Sequence, residues 1–206
     1  MPAAQEPVVG IVSARQGEGW RVDIGAAHQA SLDGLAFEGA SRRNRPNLKV
    51  RSSYIELDPI DCDANVNQIN ALVYARVSLA HKDMEPELEC FDAQTRKAEG
   101  FGELKGGFLV RCSLKMSRKC VILSITTDLA HREYHSLLDP NYFLLPLLGS
   151  RFPLDAAVGT NGKVWISAKE VKQTIAAARC IEAADPDGGG GMDQNALKKF
   201  IGTLDL

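Results

Sequence analysis

The sequence lacks any apolar run that would cross a bilayer: its longest uncharged apolar stretch, Tyr142 to Gly149, falls far short of the roughly 20 residues required. Met1 to Val9 has no basic segment followed by an apolar core, so neither a secretory leader nor membrane association is expected. Cysteine is sparse: Cys62, Cys90, Cys112, Cys120 and Cys180 are odd in number and widely spaced, which excludes a paired disulfide framework and a CxxC metal knuckle. They read as reduced, mostly buried thiols. Aromatic residues are only 6% of the chain, so platforms for stacking bases are few. There is also no excess of positive charge. A net charge of −2 and a pI near 6.1 exclude wholesale coating of nucleic acid and require any such contact to come from a local basic patch. No nucleophile elbow, paired-carboxylate motif or Walker loop is present, so neither a catalytic role nor a cofactor is expected.

What is present suffices for a packed interior, because 206 residues with 45% hydrophobic side chains can bury one large or two small cores. The first half reads as strands. Val8 to Ala14, a Gly17-Glu18-Gly19 turn and the strictly alternating Trp20 to Ile24 make a hairpin. Alternation puts Trp20 with Val22 and Ile24, a packing position. His28 to Phe37 is a third strand, expected to face inward through Ala30, Leu32, Leu35 and Phe37, with Gly34 breaking the alternation. Ala71 to Leu79, with Val73, Ala75, Val77 and Leu79 on one face, and Glu87 to Asp92, with Leu88 and Cys90, complete a set that suits a small closed OB-type barrel. Arg21 and Arg76 fall on outward faces.

The second half changes character after Gly100-Phe101-Gly102 and Gly106-Gly107, taken as a flexible boundary. Phe108 to Lys115 alternates as a strand, leaving Arg111 and Lys115 on a basic face. Asp139-Pro140 starts a short helix that ends by Gly149. Leu154 to Val158 and Lys163 to Ala168 flank Gly159-Thr160-Asn161-Gly162, with Asn161 and Gly162 expected at positive φ. Ser167-Ala168-Lys169-Glu170 is a capping box for a helix ending near Asp185, with Val171, Ile175, Ala178 and Ile181 as its buried stripe. A Gly188 to Gly191 linker then leads to a loosely attached helix over Asn195 to Leu204.

Other constellations are weak. His131 and His135, with Asp128, have the spacing of metal ligands on a helix but no HExxH pattern; they leave a metal hydrolase as a rival. Asp185-Pro186-Asp187 with Asp193 lacks the acidic positions of a calcium loop, and Gly100-Phe101-Gly102 with Gly106 misses the dinucleotide spacing. The densest charge is the turn Ser41 to Asn47. Arg42, Arg43, Arg45 and Lys49 offer guanidinium forks and a point charge to phosphate oxygens beside a barrel loop. Contact with a neighbouring protein, or plain solvation, would use the same residues.

Leu35-Ala36-Phe37-Glu38-Gly39-Ala40 followed by Arg42-Arg43-Asn44-Arg45-Pro46-Asn47, then Val73-Tyr74-Ala75-Arg76-Val77, Asp83-Met84-Glu85-Pro86-Glu87 and Gly159-Thr160-Asn161-Gly162-Lys163-Val164-Trp165, resemble in order the ribosomal RNA-processing protein 40 (exosome component 3) family of eukaryotic RNA exosome cap subunits. The resemblance implies a mixed α+β chain, mostly β in its first half. An S1 (OB-type) five-stranded barrel over 1–98 would precede a KH-like α/β domain over 99–186, with a linker and short helix over 187–206. It implies a non-catalytic subunit that sits with other cap subunits on a ring of nuclease-like proteins and guides single-stranded RNA to a 3′ to 5′ exoribonuclease, in nucleus, nucleolus and cytoplasm. Arg42, Arg43, Asn44, Arg45, Lys49, Arg111 and Lys115 become the expected RNA contacts. Gly159, Asn161 and Gly162 become a structural turn packed between the S1 and KH domains. The residues agree, since an RNA-clamping Gly-x-x-Gly loop joins two helices and this one joins two strands. A structural cap without RNA contact, and the sister S1/KH cap subunit, are the alternatives.

The chain departs from the family pattern in three places. A β-rich amino-terminal domain is expected to be missing, and Arg51 to Asn70 and Cys120 to Ser136 interrupt domains that are otherwise intact, in the manner of retained intron sequence.

Overall fold

A computed structural model describes residues 2–48, 71–81, 84–118, 144–187, 191–192 and 194–203. The segments 51–70 and 120–136, Lys49, Asp128, His131, His135, the Asp139-Pro140 helix start and Asp193 lie outside the described residues. The chain forms two compact units, Met1–Glu6 with Gly10–Lys105, and Pro7–Val9 with Gly106–Leu206.

The first unit is a barrel. Its strands are β1 (Pro7–Gln16, whose first three residues group with the second unit), β2 (Gly19–Asp23), β3 (Ala30–Phe37), β4 (Leu72–Leu79), β5 (Glu87–Cys90) and β6 (Gly102–Leu104). They are ordered β1-β2-β3-β5-β4-β6, and a β1–β4 pairing closes the first five into a ring that removes their free edges. Strands β3 and β5 run parallel, Ser31 opposite Glu87 and Leu32 opposite Leu88. Inward residues Val12, Trp20, Val22, Leu32, Val73, Ala75, Val77 and Leu88 fill the barrel. Strand β6, too short and glycine-flanked to carry an alternation of its own, pairs with β4 through Leu72 and Leu104, which carries the first unit on to Lys105.

Two expectations for this unit are corrected, and a third is extended. Gly34 continues the alternation of β3: Ala30, Leu32, Gly34 and Ala36 point inward, while Leu35 is 43% exposed. The reason is a close backbone approach, since a Cβ on Gly34 would meet the Glu18 carbonyl oxygen at 2.5 Å. Leu79 is exposed because β4 ends there. Arg76 does point away from the barrel core, but Gln5, Glu89 and the Phe91 carbonyl cover it, leaving it 6% exposed.

The second unit sets a sheet ordered β7-β9-β8 against helices: β7 (Phe108–Arg111), β8 (Leu154–Val158), β9 (Lys163–Ala168), α1 (Leu144–Gly149), α2 (Val171–Ala184) and α3 (Gln194–Thr203). Its core joins Val110, Met116, Leu144, Leu148, Val164, Ile166 and Ile181. The expected strand through Lys115 stops at Arg111. Residues 114–118 are helical, because the Ser113 hydroxyl accepts the Met116 N–H at 3.1 Å and so caps that turn.

Helix α2 also differs from expectation. Its cap residue is Glu170, without a side-chain cap, and Ser167 lies in β9, so the capping box does not form. The Thr174 hydroxyl bridges the junction instead, donating to the Glu170 carbonyl and accepting the Ala168 N–H at 3.2 Å each. The buried face holds Ala176, Ala177, Ala178, Cys180, Ile181 and Ala184, so Ala178 and Ile181 are buried as expected, whereas Val171 and Ile175 are 76% and 48% exposed. Small side chains let a helix approach its neighbours closely, so burial goes to the alanine-rich face and not to the bulkier residues. Helix α3 is firmly attached, with Leu197 and Ile201 in the core. In the β8–β9 hairpin only Gly162 has positive φ, at 75°, and Asn161 is not left-handed.

Candidate nucleic-acid interface

The basic turn begins where β3 ends. Ala40 N–H donates to the Phe37 carbonyl at 3.1 Å, and Ser41 and Asn44 exchange main-chain hydrogen bonds at 3.0 and 3.1 Å. The Ser41 hydroxyl also accepts from the Asn44 N–H at 3.1 Å. Ser41 and Asn44 thus tie off the turn and present Arg42 and Arg43 to solvent, both exposed and without an ion-pair partner among the described residues. Pro46 and the buried Leu48 then return the chain to the barrel.

Arg45 behaves differently. Its guanidinium binds Glu18 at 2.9 Å, with the Arg45 side chain 24% exposed and that of Glu18 74%. Its stem crosses Gly34, whose missing Cβ would sit 3.5 Å from Arg45 Cδ. Arg45 therefore anchors the turn to the β2–β3 side of the barrel and already has a carboxylate partner. Arg21 is also engaged, donating to Gln16 at 2.6 Å and pairing with Glu85 at 3.4 Å. The aromatics add little to a binding surface. Trp20 is 4% exposed and meets Phe37 edge-on at 6.0 Å, and Tyr74 stacks on Phe101 at 4.9 Å. Burial raises the Tyr74 hydroxyl well above its ordinary pKa.

Arg111 and Lys115 belong to the second unit, exposed at the end of β7 and on the helical turn that follows. In the same unit the Gly159-Thr160-Asn161-Gly162 turn is fully occupied by protein. Gly159 N–H donates to the Lys163 carbonyl and Thr160 N–H to the Pro7 carbonyl, both at 2.9 Å. Gly162 N–H reaches the Ser117 hydroxyl at 3.2 Å. The Asn161 amide acts like a paired strand, donating to the Val9 carbonyl at 2.9 Å and accepting the Val9 N–H at 3.3 Å. A phosphate clamp needs free N–H groups, and these three are spent. The adjacent Cys112 thiol is pushed up to about 12, first by burial and then by the charge of Asp185. Among the described residues no group of His, Cys, Asp and Glu could hold a metal ion.

A family model for the S1 domain of exosome complex component RRP40 matches residues 1–54 and 64–102, and a KH-domain model matches residues 107–172. The exosome complex component rrp40 of Schizosaccharomyces pombe is 42% identical over 175 residues, covering 85% of this chain and 58% of that protein. Exosome complex component RRP40 of Drosophila melanogaster is 36% identical over 194 residues, covering 94% of this chain and 68% of the relative. The chain belongs to the RRP40 family. The human RRP40 component is 33% identical over 186 residues, 90% of this chain and 54% of its own length, so the chain spans little more than half of several RRP40 relatives. A solved structure described as an exosome complex RNA-binding protein shares the fold, with a TM-score of 0.60 at 17% identity over 100% of this chain and 94% of its own.

Within the RRP40 match, the S1 model covers the basic turn and leaves out 55–63, inside the first interrupting segment; the KH model runs across the second without a break. The sister-subunit alternative gives way to RRP40 membership. Lys49 lies outside the described residues. The difference between Arg45 and its neighbours was beyond sequence reasoning, because the deciding partner, Glu18, is 27 positions away.

Proposed function

We propose that this protein is a non-catalytic, RNA-binding cap subunit of an RNA exosome, delivering single-stranded RNA toward a 3′ to 5′ exoribonuclease held by other subunits. The observation that carries the RNA reading is the pair Arg42 and Arg43, exposed and without a carboxylate partner among the described residues, on a turn fixed by Ser41 and Asn44, within a barrel type that binds single strands beside its loops. Arg111 and Lys115 offer a second exposed basic group, whereas the turn of Gly159, Asn161 and Gly162 is occupied by hydrogen bonds to Val9, Lys163 and Ser117. The relatives' shared description as exosome complex components supports membership of that assembly, with nuclease-like ring subunits and other cap subunits as neighbours. The working compartments follow from that membership: nucleus, nucleolus and cytoplasm.

Charge reversal at Arg42 and Arg43 tests this reading. Loss of crosslinking to a single-stranded RNA with assembly intact is the expected result. Unchanged crosslinking with weakened assembly would instead favour a purely structural cap, a reading to which Arg45, already spent on Glu18, lends some support.

The segments 51–70 and 120–136 are proposed to be foreign to the working domains. Transcript sequencing across both decides it, and continuous reads that retain them would overturn the idea.

A further inference from the structure

The second unit carries an apolar groove of about 380 Å³ between the start of β7 and one face of α2. Its walls include Phe108, Val171 and Ile175, which are 54%, 76% and 48% exposed. Leaving these side chains half or more open to water forgoes part of the roughly 1.5–3 kcal/mol that full burial of each would contribute, which a partner seated in the groove would recover. On α2 these residues sit at Val171 and Ile175, one helical turn apart and clear of the alanine-rich face that packs inward.

A second, independent feature lies beside the groove. Strand β7 is at the edge of its sheet, paired with β9 through all four residues from Phe108↔Ile166 to Arg111↔Lys163 and, among the described residues, with no strand on its other side. An open edge is a template for an added strand, and its four residues give about 13 Å of main chain to pair with. The rim has a sign as well. Lys169 and Arg179 flank the groove against a single carboxylate, Glu182, which favours a partner carrying negative charge.

We infer that this groove is a docking site for an extended, apolar, acid-flanked segment of a neighbouring protein subunit, which continues the sheet from β7 and seats an apolar side chain against Phe108, Val171 and Ile175. Aliphatic walls and an open strand edge suit a polypeptide, since a nucleic acid would need stacking faces and a denser cluster of cations. The inference rests on the subunit reading above.

The test uses the full chain and the purified ring subunits of the complex. Val171→Asp is the main variant because its side chain is exposed and an acidic residue at the first helical position is compatible with α2; Ile175→Asp and the pair Lys169→Glu with Arg179→Glu accompany it. Each should melt like the unsubstituted chain. Affinity for the ring subunits should fall about tenfold or more, the effect of losing one buried anchor. Hydrogen exchange of the Phe108–Arg111 amides should slow on assembly of the unsubstituted chain and not of the variants. Variants that join as tightly as the parent, or β7 amides that exchange equally fast before and after assembly, would overturn the proposal. So would a concentration-dependent dimer abolished by Val171→Asp, which makes the occupant a second copy, or RNA binding lost in that variant. If the unsubstituted chain itself fails to join, the subunit reading has failed and this proposal goes with it.

Discussion

Asp185, at the end of α2, accepts both the main-chain N–H and the hydroxyl hydrogen of Ser113, each at 2.6 Å across 72 positions of sequence. Ser113 in turn caps the helical turn at Met116, so one carboxylate fixes where β7 gives way to helix. The carboxylate is 6% exposed and Ser113 offers it only donors. Asp185→Asn puts an amide among those donors and should cost about 2–3 kcal/mol in urea unfolding, while Ser113→Ala should cost about 1 kcal/mol. The double variant should lose clearly less than the sum, and fully additive losses would show that the two residues do not act as a unit.

Cys112 lies close enough to Asp185 for its charge to matter, and burial with that charge moves the thiol from 9.0 to about 12. Burial also lifts Cys180, to about 11, and raises Cys90 further. The folded state therefore holds these protons more tightly than the unfolded state. Their contribution is fully present below about pH 9 and is lost as pH rises toward 12, so stability should be flat through neutrality and fall in that alkaline window. Chemical denaturation at stepped pH measures this. In Asp185→Asn the Cys112 thiol should alkylate faster at pH 8, the smaller of its two causes having been removed; an unchanged rate would contradict the assigned contact.

Gly34 is small because the Glu18 carbonyl, in the turn before β2, comes too close to β3 for a Cβ, not because its backbone is unusual. Gly34→Ala would drive a methyl group against the Glu18 carbonyl oxygen at 2.5 Å, and Glu18 is the residue that pairs with Arg45 of the basic turn. Overpacking of this kind should cost about 1–3 kcal/mol and loosen the basic turn with it. Thermal unfolding, with exchange of the 41–47 amides as a second readout, checks both effects.

Arg42 and Arg43 should separate cleanly from Arg45. Neutralising the first two removes two phosphate contacts, which on a single strand should reduce the slope of log affinity against log salt by about 1.4 and leave stability within ~0.5 kcal/mol. Arg45→Ala should lower stability by up to about 1 kcal/mol through its pair with Glu18 and its packing on Gly34, with less effect on the salt slope. Equal salt slopes for both variants would show that Arg45 leaves Glu18 for RNA.

That the first half is a barrel is legible in the amino-acid pattern alone. Period-two runs with glycine turns leave few other ways to bury Val22, Leu32, Val73 and Val77 together, and ordered strings from Leu35 to Trp165 pointed to the family. That pattern also separated the Gly159–Gly162 turn from a helix-joining clamp. What covers each face depends on long-range packing. Alternation placed Arg76 outward but could not show that Gln5 and Glu89 close over it, nor that Arg45 is spent on Glu18 while Arg42 is exposed and has no ion-pair partner among the described residues. Spacing on α2 allowed more than one apolar stripe, and close approach to the core selected the alanine face, leaving Val171 and Ile175 in water. Periodicity is a property of one segment; burial and pairing depend on which distant segment arrives beside it.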